Sequence, residues 1–120
     1  MAHKGMGLTL QRMGKPEEAA AQYEEALRLN PVFSDARVQL GLIRQGQGRA
    51  TEAFQHYREA LRLNPREAAA WNNIGTLLFR LGKWEEAARF FRRALELEPG
   101  YVEARENLVK TLRENNLAAP

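Results

Sequence analysis

The side chains that could do chemistry in this chain are few, and their spacing gives them little to do. Only two histidines occur, His3 and His56, far apart in register, and neither reads as part of a metal site. There is no cysteine, which excludes a disulfide scaffold, a thiolate metal site and a cysteine nucleophile while leaving the redox compartment open. The acidic pairs Glu17-Glu18 and Glu85-Glu86 fall in the first turns of predicted helices, where the positive end of the helix dipole accounts for them. The glycines form no G-x-x-x-x-G-K-[ST] loop and no strand stands ready to launch one. No catalytic set, metal or cofactor is expected.

The charge is balanced rather than polarised. Eighteen basic residues, fourteen of them Arg, face fifteen acids, for a net charge of +3 and a pI near 9.6. That pI alone would hint at nucleic acid. The basic residues are spread along every predicted helix and are often set one turn after a glutamate, as in Glu25 and Arg28 or Glu59 and Arg62. This is the dress of a solvated helix face, and a nucleic-acid partner is disfavoured. No apolar run reaches membrane-spanning length and MAHKGMGLTLQR lacks the apolar region of a signal peptide. The expectation is a soluble protein with no membrane insertion, in the cytoplasm.

The elements that would carry any site follow from Ala68 to Pro99, AAAWNNIGTLLFRLGKWEEAARFFRRALELEP. Trp71, Ile74, Leu78 and Leu81 lie on one helical face together with Gly75. Gly82-Lys83 breaks the pattern, and Ala87, Phe90, Phe91, Ala94, Leu95 and Leu97 restart it until Pro99. The short connection makes the two helices antiparallel, with Gly75, Ala87 and Ala94 as points of close approach. The unit recurs every 34 residues: Pro99, Pro65 and Pro31; Gly75, Gly41 and Gly7; Gly82, Gly48 and Gly14; Phe91, Tyr57 and Tyr23; Ala94, Ala60 and Ala26. A repeat of this period carrying Trp71, Ile74, Gly75, Leu78, Ala87, Phe91 and Pro99 resembles the tetratricopeptide repeat. The resemblance implies an all-α, right-handed solenoid of antiparallel helix pairs. Seven helices are expected in a single domain over 1–120, with repeats at about 1–33, 34–67 and 68–101, a solvating helix at about 101–115 and a frayed tail at 116–120.

Within that frame Met1 to Met13 is the weakest helix, with Gly5 and Gly7 each costing roughly 1 kcal/mol of propensity. No polar capping element precedes it, so a segment of a longer array, or stacking against another copy, stays open. Ser34 is the expected N-cap of the third helix, and Arg44 occupies the column that holds Leu10 and Leu78. Leu108 and Leu112 are the core positions of the last helix, where Val109 replaces the glycine.

The resemblance places a binding groove on the first helix of each repeat, about 100° from the core face. In the first repeat its residues are Lys4, Leu8 and Arg12; in the second, Val38, Gln39 and Leu42. The third supplies Asn72, Asn73, Thr76, Phe79 and Arg80, and the last helix Asn107 and Lys110. Gln39, Asn73 and Asn107 recur at a spacing of 34 as a row of amides able to donate to and accept from a peptide main chain. Leu8, Val38, Leu42 and Phe79 are apolar where solvent is expected. The clamp by which chaperone-binding members hold an acidic C-terminus is not reproduced, since Leu8, Ala69 and Asn73 stand where it needs an amide and two basic residues. The expected function is a non-catalytic protein-interaction module that binds a protein or peptide partner, the alternatives being self-assembly into a homo-oligomer or one segment of a larger protein.

Overall fold

The computed structural model describes residues 15–118, and among them the chain forms six helices and no strand. They are α1 (Pro16–Leu29), α2 (Ser34–Gly46), α3 (Ala50–Leu63), α4 (Ala68–Arg80), α5 (Trp84–Leu97) and α6 (Val102–Ala118). The helix expected over Met1 to Met13, which would make seven, lies outside the described residues, as do His3, Lys4, Leu8 and Arg12. The chain divides into two compact units, Met1–Pro65 and Arg66–Pro120.

In the first unit α1 opens with Pro16 in its first turn and Glu17 and Glu18 against the dipole. It closes when the Asn30 N–H bonds to the Ala26 carbonyl ahead of Pro31. Helix α2 begins at Ser34 itself, preceded by Phe33, so Ser34 is a buried first-turn residue rather than the cap. Ala19, Ala20, Tyr23, Ala26 and Leu27 of α1 form one cluster with Ala36, Leu40 and Ile43 of α2. On α3 the buried face is Ala53, Tyr57 and Ala60, and the Tyr57 ring lies directly over Gly41 of α2. The predominance of alanine lets the backbones approach closely enough for a tyrosine to fill the remaining gap.

The second unit repeats this plan. Phe91 of α5, 1% exposed, takes the place of Tyr57 and packs on Gly75 of α4. Trp71 and Phe90 meet with ring centroids 5.2 Å apart, and the Arg93 guanidinium lies 5.8 Å from the Trp71 centroid. The turns from α2 to α3 and from α4 to α5 each use a glycine with φ +76°, Gly48 and Gly82. Each permits a left-handed C-terminus in which Arg49 N–H bonds the Arg44 carbonyl at 2.8 Å and Lys83 N–H the Leu78 carbonyl at 3.0 Å. That turn corrects one core assignment. Helix α4 ends at Arg80, and Leu81, expected on the core face, is 70% exposed in the turn while Leu77 is buried instead. Helix α6 lies against α5 and α4. It buries Ala104 and Thr111, leaves Leu108 and Leu112 half-buried, and exposes Val109 by 52%. It runs to Ala118, past the expected end at Asn115.

Candidate functional site

The first helix of each pair is packed by neighbours on two sides, so it buries more than one face, and this sorts the expected groove residues. In the first unit Val38 of α2 has no exposed surface, against the expectation of a solvent-facing apolar residue, because α1 and α3 both pack on α2. Gln39 and Leu42 are half-buried. In the second unit Asn72 is wholly buried and Asn73 is 7% exposed. Asn107 Nδ2 donates to Asn72 Oδ1 at 3.1 Å and Asn72 Nδ2 donates to Asn73 Oδ1 at 3.3 Å. The amide row therefore does not stand free in solvent. Asn107 is joined to Asn72, tying α6 to α4, and a buried amide satisfied in this way is structural. Tyr101, just before α6, lies beside Asn72. Burial, with Glu103 and Glu98 adding to it, pushes its phenol up to about 12 against a smaller opposing effect of the Asn72 hydrogen bond.

Five of the expected residues do come together. Thr76, Phe79 and Arg80 of α4 and Asn107 and Lys110 of α6 line a recess of about 240 Å³ completed by Phe91 of α5 and Thr111 of α6. Phe79 is half-buried and held edge-on against Trp84, centroids 4.9 Å apart at 61°. The Lys110 ammonium lies 5.0 Å from the Phe79 centroid. Thr76 and Thr111 donate their hydroxyls to the carbonyls of Asn73 and Asn107, each at 2.7 Å. Arg80 and Lys110 are exposed. The place of Phe91 and Thr111 in this lining was not anticipated. Thr111 could have been found as the residue one turn after Asn107; Phe91 could not, since its column reads as core.

The first unit holds a charged cluster that spacing did not predict. Arg44, only 11% exposed in its side chain, reaches Glu17 Oε1 at 2.8 Å and Glu52 Oε2 at 3.7 Å. It also donates to Gln47 Oε1 at 2.9 Å. The Arg44 bond, with one from Gln47, holds the Glu17 carboxyl below its ordinary range. Glu52 also stands one turn before His56, but its carboxylate faces Arg49 at 2.7 Å. Burial, then Arg37 and Arg44, push the half-buried His56 imidazole down. Among the described residues no group of three His, Asp or Glu could hold a metal ion, and no helix is long and apolar enough to cross a membrane.

These helix pairs, with an aromatic ring seated on a glycine at a 34-residue interval, can be compared with known proteins. Models of the tetratricopeptide repeat match residues 33–99 and residues 1–33. The chain belongs to the tetratricopeptide repeat family. This tetratricopeptide repeat chain is similar to the first such domain of Spaghetti (RPAP3), solved with the HSP90 peptide SRMEEVD. Identity is 27%, TM-score 0.85, over 98% of this chain and 92% of that one. It is also similar to the second domain of human RPAP3, solved with the HSP70 peptide SGPTIEEVD, at 26% identity and TM-score 0.78 over 91% of each chain. The Sgt2 domain from Aspergillus fumigatus shares the fold at 18% identity and TM-score 0.89, over 98% of this chain and 79% of that one. A comparison with curated proteins gives no match.

Proposed function

We propose that this chain is a non-catalytic protein-interaction module that receives an extended peptide or partner segment on the face carried by the first helix of each repeat. The observation that carries the reading is the recess of the second unit, where five residues chosen for a binding face line one hollow. In the first unit the half-buried Gln39 and Leu42 offer an amide and an apolar contact on the same kind of face. Asn72, Asn73 and Val38 are left to packing. Capture of an acidic C-terminus by the clamp of the chaperone-binding members is not part of this proposal: Ala69 has no charge to offer and Asn73 is buried. A display selection of random peptides against the purified chain tests the reading, with enriched peptides remade with a photo-cross-linker. Adducts on α2, α4 and α6 are expected. Adducts confined to α3 and α5, or no enriched peptide, would contradict it.

A second reading has one observation in its favour. Val102, Val109 and Leu117, 51%, 52% and 76% exposed, recur along α6 at spacings of seven and eight, which puts them on one side of the helix. A second copy could cover that stripe. Light scattering over a range of concentrations decides it: a rising mass supports self-association and a constant monomer mass removes it.

A further inference from the structure

The chemistry of the recess narrows what it can take. Two cations, Arg80 and Lys110, line it, and no lining residue is acidic. Some arginines elsewhere are matched by nearby carboxylates, among them Arg28 with Glu25, Arg44 with Glu17, Arg49 with Glu52, Arg62 with Glu59 and Arg93 with Glu96. Among the described residues Arg80 and Lys110 enter no ion pair. The other polar groups of the hollow are already engaged. Both threonine hydroxyls donate to carbonyls of their own helices, and Asn107 donates across to Asn72. The guanidinium and the ammonium are the charged donors of the recess, beside an aromatic wall at Phe79 that Trp84 and Lys110 hold in place.

The geometry points to a carboxylate side chain as the group this recess accepts: a glutamate or aspartate within a partner protein's peptide, paired with Arg80 and Lys110, whose adjoining large apolar residue lies on Phe79. The inference rests on the peptide-binding reading above and gives it a specificity. It needs a side-chain carboxylate in the interior of a segment and no free chain terminus. The complementarity is one of charge, two unpaired cations against one or two acids, with the apolar neighbour supplying buried area.

The test is an amide NMR titration of the isotope-labelled chain with two blocked peptides, acetyl-Ala-Leu-Glu-Glu-Leu-Ala-amide and its counterpart with both Glu replaced by Gln. The Glu peptide should shift the resonances of Thr76, Phe79, Arg80, Asn107 and Lys110, and the Gln peptide should leave them in place. Raising salt from about 0.05 M to about 0.5 M should weaken the effect several-fold. Lys110→Glu should weaken it roughly tenfold, while Arg92→Glu, exposed on α5 and outside the recess lining, should not. Equal shifts from both peptides, shifts away from the recess, or indifference to Lys110→Glu would overturn the assignment. So would a phosphoserine peptide that shifts these residues while the Glu peptide stays silent, which would make the recess a phosphate site. If the Glu peptide is silent while a display-enriched peptide still binds the first-helix face, the specificity falls and the module stands. If no peptide binds at all, both fall.

Discussion

Adding one methyl group at Gly75 tests the packing directly. A Cβ built there would lie 2.6, 2.8 and 2.9 Å from Cε1, Cδ1 and Cζ of Phe91. Ordinary carbon contacts lie near 3.5–4.0 Å, so α4 and α5 must separate by about 1 Å or the ring must turn. Phe91 is 1% exposed and lies against α4, which leaves it little room to turn. Overpacking of this kind costs about 1–3 kcal/mol, against a gain of about 1 kcal/mol when alanine replaces glycine inside a helix. Gly75→Ala should therefore destabilise the chain, by up to about 2 kcal/mol. Gly46→Ala is the control: a Cβ there meets nothing within 4 Å, so only the propensity gain remains and the variant should be stabilised by up to about 1 kcal/mol. In a Phe91→Leu background the penalty at Gly75 should shrink, because the smaller side chain yields. Urea unfolding followed by circular dichroism reads all three. If Gly75→Ala stabilised the protein as much as Gly46→Ala does, the ring-on-glycine account of the repeat would be wrong.

Three other outcomes follow from the same structure. Asn72→Ala leaves Asn107 without its buried acceptor and should cost about 1–3 kcal/mol in unfolding free energy; a neutral variant would mean that the amide pair does not tie α6 to α4. Arg44→Ala should destabilise by about 1–2 kcal/mol through lost contacts of a side chain only 11% exposed, a loss that salt should change little if packing dominates, and a stability equal to the parent would refute it. For His56 the folded imidazole is pushed below its ordinary value of 6.5, so the unfolded chain binds the proton more readily. Stability is then fully present above about pH 6.5, falls as the pH drops below it, and levels off beneath the folded value. His56→Gln should flatten that segment of the pH profile of urea midpoints, and an unchanged profile would show that His56 is not its source.

How far the sequence could be read depended on whether a residue's role repeats. Tyr23, Tyr57 and Phe91 share a column, as do Gly41 and Gly75, so the seat of a ring on a glycine was visible as a recurrent pair of types. Leu81 misled because the helical period continues past the point where the chain leaves the helix; Gly82, at φ +76°, turns it outward. Val38 and Asn72 misled for another reason. A single amphipathic period assumes one buried face, whereas α2 and α4 are each packed by two neighbours and bury side chains that the period assigns to solvent. The 34-residue spacing set Gln39, Asn73 and Asn107 in a row of amides facing a peptide, and gave no sign that Asn107 would bond across to Asn72, 35 residues away. Arg44 sits in a leucine column, and nothing in its local spacing announces Glu17, 27 residues earlier. Long-range partners of single side chains are set by the three-dimensional packing and leave no periodic trace.

The most direct test of the interaction module is hydrogen exchange, measured by mass spectrometry on the chain alone and saturated with a display-enriched peptide. The account predicts slowed exchange in the segments around Thr76–Arg80 and Asn107–Thr111, with the outer face of α5 near Arg89 and Arg92 unchanged. Protection centred on α5, with the recess segments exchanging as before, would contradict it.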